Sequence, residues 1–378
     1  MARTVFVNAG PWLPVPPSGY GGVETMLAYL IPELRRRGLR VVLGTVGDSR
    51  IEVDERVHRF QAGRHRHIAE PYYDAVHVTH GHMDRMLDVI RDMPEIDVVH
   101  DFLEVVGPSM LAGLGPGGPP VLHTLQWDLT GHGDYYEEFD GHGRVLFNGI
   151  SEPQMRAAPD QLLKQSLEVV HNGIAVDDFE YRPIKRDYVI TLARFTPDKG
   201  QDVAARVCAE LGLTLRMAGT VGGISSRELL GKELRDDPDS PLHHYRDVQW
   251  YRQLERDFPR AEWVGNLGGE AKREFVAGAR ALLMPIRWEE PFGMAVIEAL
   301  ASGTPVVAMR RGAMPVLIEH GHNGFLADDE RQFGHYLQRV GDIRPEDCRR
   351  SVAERFSAAA MADRYVARYE EVLERATG

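Results

Sequence analysis

Short apolar runs alternate with stretches of helical periodicity along most of the chain. The runs in the first half cover residues 4–10, 40–45, 97–102, 120–127 and 144–151, and those in the second half cover residues 188–195, 214–220, 261–267, 280–288 and 304–309. Apolar runs separated by helices are typical of parallel sheets with helices on both faces. Because the series restarts after a polar stretch at 181–187, the pattern predicts two doubly wound, Rossmann-like α/β domains. The length of 378 residues allows two cores.

Helical periodicity is clearest at residues 22–37. Met26, Leu30 and Leu34 recur there on one face, Gly38 follows as a stop signal, and Pro32 is expected to kink the helix or remove one hydrogen bond. Residues 356–376 are rich in helix formers and predict a final helix. Residues 221–259 are too long for an ordinary loop between a strand and a helix, which predicts a partly helical insertion in the second series.

Glu298 is the lone charged residue in an apolar helical stretch, residues 293–301. A helix that is apolar on every side is buried, and a buried carboxylate needs a partner. Glu290 lies eight positions earlier, at a turn that opens the helix beside Gly293. A carboxylate can accept two hydrogen bonds side by side, which suits a vicinal diol such as that of ribose. The alternative is a buried Glu298 paired with an arginine, and the spacing alone leaves both open.

Two cations follow the first strand of the second series. Arg194 ends the strand and Lys199 precedes the next helix, so both can converge on a diphosphate. In the first series the segment GYGGVE (19–24) places glycines before a helix, where backbone N–H groups can approach a phosphate. A solvated basic turn and a tight turn are the respective structural alternatives.

Composition narrows the classes of function. The net charge of −12 argues against nonspecific binding to nucleic acid or anionic lipid. Two distant cysteines, Cys208 and Cys348, give no disulfide framework or metal spacing. With no secretory signal and no apolar stretch of membrane-spanning length, the sequence predicts a cytoplasmic protein without membrane association.

Histidines offer a weaker signal. Six lie between residues 58 and 82, where few carboxylates and no cysteine accompany them, so a polar surface or acceptor-side segment is favoured over a metal site. His100 and His123 lie inside predicted strands, where a core histidine is the usual interpretation. His100, at a strand end, is the better candidate for a functional residue. No hydrolase or protease motif is present.

Several segments together resemble the retaining GT-B glycosyltransferases of glycosyltransferase family 4. They are GYGGVE, VVHNGIAVDDF, LARFTPDKG, VGNLGGEAKREFVAGARALLMP and EEPFGMAVIEALASGTPVVA followed by NGFL. The resemblance implies a GT-B fold whose two Rossmann-like domains face a cleft. We expect an acceptor domain at 1–172, a nucleotide-sugar domain at 173–355, and a final helix at 356–378 that crosses back to the first domain.

The resemblance also assigns residues. It implies that the glutamate pair separated by seven residues is Glu290, at hydroxyls of the donor sugar, and Glu298, at the ribose. It implies diphosphate binding by Arg194 and Lys199. Further donor contacts are implied for Gly21, Gly22, Gly265, Asn266, Gly293 and Met294, with Gly265 and Asn266 near the base. We predict Arg194, Lys199 and Glu290 as the catalytic set.

One position departs from the family pattern. A histidine that touches the donor sugar is usual where this chain has Gln126, and His123 should face the other way. Either Gln126 replaces it as a hydrogen-bonding group or the donor sugar differs. On the acceptor side we predict His100 and Trp127, with Trp12, Tyr20, Tyr135 and Tyr136 as further aromatic candidates, although packing explains each of these aromatic residues equally well.

The predicted reaction moves a hexose from a nucleoside diphosphate sugar to an acceptor hydroxyl, with retention, by front-face substitution. Neither a metal nor another cofactor is expected, since Arg194, Lys199 and helix N-termini supply positive charge. The acceptor is a small molecule or a glycan. A catalytically silent nucleotide-sugar sensor or scaffold is the alternative, made conceivable by Gln126. A sugar phosphorylase or a nucleotide-sugar epimerase on the same architecture is a second one.

Overall fold

The computed structural model describes residues 3–19, 21–65, 67, 72–237 and 240–377. Tyr20 lies outside the described residues. The chain divides into two compact units, the first comprising Met1–Ile174 with Ser357–Gly378 and the second Ala175–Phe356. Both divisions lie within two residues of the boundaries expected from the sequence.

The first unit is built on a parallel sheet of six strands. These are β1 (Thr4–Asn8), β2 (Arg40–Thr45), β3 (Glu55–His58), β4 (Val98–Asp101), β5 (Val121–Thr124) and β6 (Val145–Asn148), in the order β3-β2-β1-β4-β5-β6. The apolar runs predicted five of them. The edge strand β3 was missed because two of its four residues are exposed and only Val57 is buried, so it has no apolar run to detect.

In the described part of the first unit, six α-helices precede the second unit. They are α1 (Gly22–Arg36), α2 (Tyr72–Asp92), α3 (Val106–Ala112), α4 (Gly133–Glu138), α5 (Glu152–Met155) and α6 (Asp160–Lys164). The helix predicted at 22–37 is confirmed as α1, which continues through Pro32 and buries Met26, Leu30 and Leu34.

The second unit repeats the architecture. Its strands are β7 (Val189–Leu192), β8 (Leu215–Ala218), β9 (Glu262–Gly265), β10 (Leu282–Met284), β11 (Val306–Met309) and β12 (Gly324–Ala327), parallel and in the order β12-β11-β10-β7-β8-β9. Numbered from its own first strand, this is the order of the first sheet. The prediction of two doubly wound sheets is therefore confirmed. In such sheets ligands bind at the carboxyl ends of the strands where the order reverses, which is between β1 and β4 and between β7 and β10.

Among the described residues the second unit contains eight α-helices. They are α7 (Gln201–Leu211), α8 (Arg227–Asp236), α9 (Arg246–Asp257), α10 (Gly269–Gly278), α11 (Met294–Ala301), α12 (Met314–Leu317), α13 (Glu330–Gln338) and α14 (Pro345–Arg355). The insertion predicted as partly helical at 221–259 contains α8 and α9, so that prediction is confirmed.

The last helix, α15 (Ala358–Thr377), belongs to the first unit. It buries Met361, Tyr365, Tyr369 and Val372 in the same apolar core as the inner face of α1. This core is therefore assembled from both ends of the sequence. Among the described residues no helix combines the length and the apolar character that crossing a membrane requires.

Candidate functional site

Two loops meet at the reversal point of the second sheet. The loop after β7 carries Arg194 and Lys199, and the loop after the adjacent strand β10 carries Glu290. Lys199 Nζ lies 2.7 Å from Glu290 Oε2, and the two side chains are 12% and 15% exposed. Two of the three residues predicted as catalytic are thus in direct contact, in a mostly buried ion pair.

Trp288 completes this contact and was not predicted from the sequence. Its indole Nε1 donates to Glu290 Oε2 at 3.2 Å, and Lys199 Nζ lies 4.3 Å from the centre of its ring. The cation is therefore held by a carboxylate and an aromatic face together. The one feature of the sequence that could have indicated a role for Trp288 is its position two residues before Glu290.

Arg287 ties the two loops together. Its backbone N–H donates to Asp198 O at 2.7 Å, and its guanidinium donates to Pro197 O at 2.7 Å. The same guanidinium holds both carboxylate oxygens of Asp202, at 2.8 and 2.6 Å. Burial raises the pKa of the Asp202 carboxyl, but the hydrogen bond and the charge of Arg287, with smaller contributions from a backbone hydrogen bond and Arg206, together hold that pKa below its usual range. Arg287 thus fixes the turn that presents Lys199.

Gly200 closes that turn. Its φ of +71° is in the left-handed region, and a Cβ there would lie 2.0 Å from Pro285 O. Only glycine permits this approach of the two loops.

Glu298 lies on α11 and is 3% exposed. Its Oε1 accepts a hydrogen bond from Lys272 Nζ of α10 at 2.6 Å. The ion pair resembles the structural alternative raised from the sequence, with a lysine in the place of an arginine. The side chain of Lys272 is 26% exposed. The buried negative charge of Glu298 is therefore neutralised by a lysine whose side chain is partly in contact with solvent. Gly293 caps α11 with a φ of +106°, and Met294 begins the helix.

The predicted base-side segment begins at the last residue of β9, Gly265, and the insertion contacts it at Asn266. Gly265 O accepts from Gly219 N–H at 2.9 Å, and Asn266 N–H donates to Ser225 O at 2.7 Å. On α9 of the same insertion, burial raises the pKa of Asp247 while nearby Arg194 opposes that rise. The insertion therefore borders both the base-side segment and Arg194.

The first unit carries the remaining predicted residues. Gly21 and Gly22 lie at the start of α1, after β1. Gln126 forms a reciprocal amide pair with buried Asn172, at 3.1 Å in each direction. Trp127 is half-buried, and its ring lies 5.8 Å from that of His123.

The prediction of His100 as an acceptor-side residue is wrong. Its ring is fully buried, with Nδ1 2.7 Å from Tyr369 OH and Nε2 2.8 Å from Thr124 Oγ1. Burial holds the pKa of His100 well below its usual range. Both ring nitrogens are occupied inside the core because α15 supplies a tyrosine to this strand, and His100 is a structural residue.

A buried polar chain runs across the first sheet instead. His82 Nε2 lies 2.7 Å from Asn8 Oδ1, Asn8 Nδ2 donates to Asp101 Oδ1 at 2.6 Å, and Asp101 Oδ2 lies 2.5 Å from His123 Nδ1. His82 belongs to the histidine-rich segment expected at the surface, yet it is fully buried and its pKa falls to about 3 through burial. Across the described residues no group of three or more His, Cys, Asp or Glu side chains is arranged to hold a metal ion.

Comparison with known families identifies the second unit. Residues 186–341 match the family model for glycosyl transferases group 1. Residues 186–341 therefore form a glycosyl transferases group 1 domain. This confirms the family resemblance that the sequence motifs indicated.

Curated relatives extend the likeness into the first unit. The D-inositol 3-phosphate glycosyltransferase of Mycolicibacterium smegmatis is 25% identical over 324 residues, covering 80% of this chain and 68% of the relative. That of Mycobacterium sp. strain KMS is 26% identical over 301 residues, covering 75% of this chain and 62% of the relative. This chain thus spans about two thirds or less of the length of these relatives.

Solved structures share the fold over nearly the whole chain. Sucrose-phosphate synthase from Thermosynechococcus elongatus has a TM-score of 0.72 at 18% identity, covering 98% of this chain and 99% of that one. A glycosyltransferase involved in avilamycin A biosynthesis has a TM-score of 0.67 at 21% identity, covering 98% of each chain. Anabaena HepE in complex with UDP-glucose has a TM-score of 0.64 at 15% identity, covering 97% and 99%. The fold of this chain is GT-B, as the sequence predicted.

Proposed function

We propose that this protein transfers a hexose from a nucleoside diphosphate sugar to an acceptor hydroxyl, with retention of anomeric configuration. The observation that carries the proposal is the contact of Lys199 with Glu290 and Trp288 at the reversal point of the second sheet. A cation held there, at the carboxyl ends of β7 and β10, is placed where doubly wound sheets bind nucleotides. The group 1 domain match supports the same chemistry.

In this proposal the second unit binds the donor. Lys199 and Arg194 contact the diphosphate, Glu290 the sugar hydroxyls, and Glu298 the ribose diol. The backbone N–H groups of Gly293 and Met294 at the start of α11, where the helix dipole is positive, add contacts to the phosphates. Gly265 and Asn266 lie beside the base. HepE was solved with UDP-glucose, which favours a nucleoside diphosphate hexose as the donor class.

The chemistry we propose is front-face substitution. The bond from the anomeric carbon to the diphosphate oxygen breaks, the acceptor oxygen bonds to the same face, and the departing phosphate oxygen takes the acceptor's proton. Lys199 and Arg194 stabilise the charge that develops on the diphosphate, so we propose that no metal is required. Glu290 is engaged by Lys199 and Trp288, which supports a role in orienting the sugar rather than in attacking it.

A nucleotide-sugar sensor without turnover is the second candidate. It is favoured by Gln126, which stands where the family usually has a histidine and whose amide is paired with Asn172. A carbamoyl side chain held in this way does not exchange a proton as an imidazole does.

Release of nucleoside diphosphate distinguishes these functions. We expect one member of a panel of uridine, guanosine, adenosine and thymidine diphosphate hexoses to release its nucleoside diphosphate in the presence of an acceptor, and proton NMR of the product to show the donor's anomeric configuration. Donor binding without release would favour the sensor. Inversion of configuration would contradict the proposed chemistry. A preference for orthophosphate as the acceptor would indicate a phosphorylase, and donor isomerisation without any acceptor would indicate an epimerase.

A further inference from the structure

Lys185 lies at the C-terminal ends of two helices of the second unit and joins them. Its ammonium donates to Ala277 O of α10 at 2.9 Å, to Ser302 O at the C-cap of α11 at 3.0 Å, and to Thr304 Oγ1 at 2.9 Å. Thr304 Oγ1 in turn donates to Val276 O of α10 at 2.8 Å. Because an ammonium has three N–H donors, the whole hydrogen-bonding capacity of this lysine is spent on linking α10 to α11.

Two cations hold the end of α11. The last carbonyls of a helix have no partner inside it and carry partial negative charge, which favours a cation there. Arg349 of α14 donates to Ala301 O at 2.8 Å, and Lys185 holds the next carbonyl. Burial, assisted by the charge of Arg182 and opposed by Cys348, lowers the pKa of Lys185 to about 8. The side chain is therefore mostly an ammonium at pH 7 and can make all three contacts.

The clamped end of α11 is one turn from Glu298. Ser302 donates to Glu298 O through its N–H and its hydroxyl, at 3.2 Å each, so two hydrogen bonds connect Lys185 to the backbone of Glu298. The other clamped helix, α10, carries Lys272, whose Nζ lies 2.6 Å from Glu298 Oε1. Lys185 thus fixes both helices that contribute to the Lys272–Glu298 ion pair.

We propose that Lys185 is a positioning residue for Glu298, because it fixes the ends of α10 and α11 to each other and so sets where the carboxylate meets the ribose diol. Two side-by-side hydrogen bonds to a diol depend steeply on distance and angle, whereas a clamp at the helix ends needs no contact with the ligand. The inference rests on the ribose assignment in the proposed function, and adds a residue that determines selectivity for a ribonucleotide.

Discrimination between a ribonucleotide and its 2′-deoxy counterpart tests this inference. Calorimetry would measure binding of UDP, GDP, ADP and their 2′-deoxy counterparts, and the affinity ratio would be taken for the base that binds most tightly. We expect the wild type to prefer the ribonucleotide by about tenfold or more, as for one hydrogen bond to a charged group. Lys185→Met, which keeps the length of the side chain but lacks its donors, should lower that ratio to about threefold or less.

Arg186→Met is the matched control. Arg186 lies in the same segment and forms an exposed ion pair with Glu274 of α10. Exposed ion pairs contribute little, so this variant should keep the wild-type ratio within about twofold. Thr304→Val is a milder variant that removes the hydroxyl link to α10 and should lower the ratio in the same direction as Lys185→Met. It decides the question by the same criterion if Lys185→Met does not fold.

A purely structural role for Lys185 would give a different pattern. Loss of stability alone would weaken both nucleotides by the same factor and leave their ratio unchanged. If Lys185 acts through Glu298, Lys185→Met should not lower the ratio further when it is added to Glu298→Gln, since both changes affect one contact.

The reference variant Glu298→Gln separates this inference from the proposed function. If Glu298→Gln lowers the ratio while Lys185→Met, or Thr304→Val in its place, retains the wild-type ratio, the positioning role falls and the ribose assignment stands. If Glu298→Gln retains the wild-type ratio, or the wild type does not discriminate, the ribose assignment falls and the inference falls with it. Failure of every nucleoside diphosphate to bind would overturn the proposed function as a whole.

Discussion

At the scale of single residues, Lys199 and Glu290 hold each other in place before a ligand binds. Their contact is mostly buried and shares the Trp288 indole. A diphosphate would therefore meet a cation whose position is already fixed, so little reorganisation is needed when charge develops.

Lys199→Ala should reduce kcat/KM for the donor by about 100-fold or more, as for loss of one charged group that stabilises a leaving group. The free energy of unfolding should fall by only about 1 kcal/mol, because Glu290 keeps the Trp288 hydrogen bond. Steady-state kinetics and chemical unfolding measure the two quantities. Lys232→Ala, an exposed lysine on α8, is the control, and proportionate losses of stability and activity would show that Lys199 is structural.

Glu298→Gln should weaken nucleoside diphosphate binding about tenfold, since the amide cannot accept both ribose hydroxyls as a carboxylate does. The Lys272 contact gives a second expectation: Lys272→Met should leave binding within a few-fold, because Lys272 balances the carboxylate rather than touching the ligand. Calorimetry with the preferred nucleotide tests both. An unchanged affinity in Glu298→Gln would remove the ribose assignment.

Glu24 makes stability depend on pH. Its pKa rises from the ordinary 4.5 to about 7 in the folded protein, so between these values the folded state binds the proton more tightly than the unfolded state. Stability is therefore lost as the pH rises through this window, by about 2 kcal/mol between pH 5 and pH 8. Glu24→Gln should remove that part of the dependence, which urea unfolding at the two pH values measures. A mutant that keeps the full wild-type slope would contradict this.

At the scale of elements, Arg287 links the loop after β7 to the loop after β10. It contacts Pro197, Asp198 and Asp202 through four hydrogen bonds. A lysine has one point charge and cannot reproduce this planar, bidentate arrangement. The position of Lys199 thus depends on a residue that need not touch the ligand.

Arg287→Lys should lower kcat by about tenfold with a smaller change in donor KM, and hydrogen exchange should accelerate in residues 196–202. Arg206→Lys is the matched control, because Arg206 lies on α7, the helix that carries Asp202, and forms an exposed ion pair with Glu330 of α13. If Arg287 acts through Lys199, the effects of Arg287→Lys and Lys199→Ala will not add in the double mutant. Additive effects would mean that the two residues act independently.

The sequence predicted strands and helices better than it predicted the contacts between side chains. The apolar runs located ten of the twelve strands, since burial on both faces leaves a continuous apolar signal. The role of His100 was missed because Tyr369 lies 269 positions away, and the Lys272–Glu298 pair joins two helices that no local pattern relates. Lys199 and Glu290 were both predicted as site residues from family motifs. Trp288 and Arg287 were not predicted, because their contacts with the loop after β7 form only when the two loops fold against each other.

At the scale of the whole molecule, one strand order is used twice. In the described part of the chain each unit carries a six-stranded parallel sheet of the same order, so each sheet has one pair of neighbouring strands at which the order reverses. In the second unit that pair is β7 and β10, whose loops carry the contact between Lys199 and Glu290.

Tyr369→Ala should destabilise the first unit selectively. The side chain is 1% exposed, packs with α1 and bonds to His100, so its loss should cost about 3 kcal/mol or more. Differential scanning calorimetry should show a lowered first-unit transition, and the nucleotide should still shift the second-unit transition. Loss of that nucleotide-induced shift would show that the units do not fold independently.

The split of the first unit between the two ends of the sequence has a consequence for biosynthesis. Residues 175–356 are contiguous and can fold as they leave the ribosome, whereas the core built by β1 and α1 lacks Tyr365, Tyr369 and Val372 until synthesis reaches the last helix. During synthesis of the second unit, the apolar surface that α15 covers in the finished first unit therefore stays exposed. We expect a chaperone that binds nascent chains to remain bound longest to the N-terminal half.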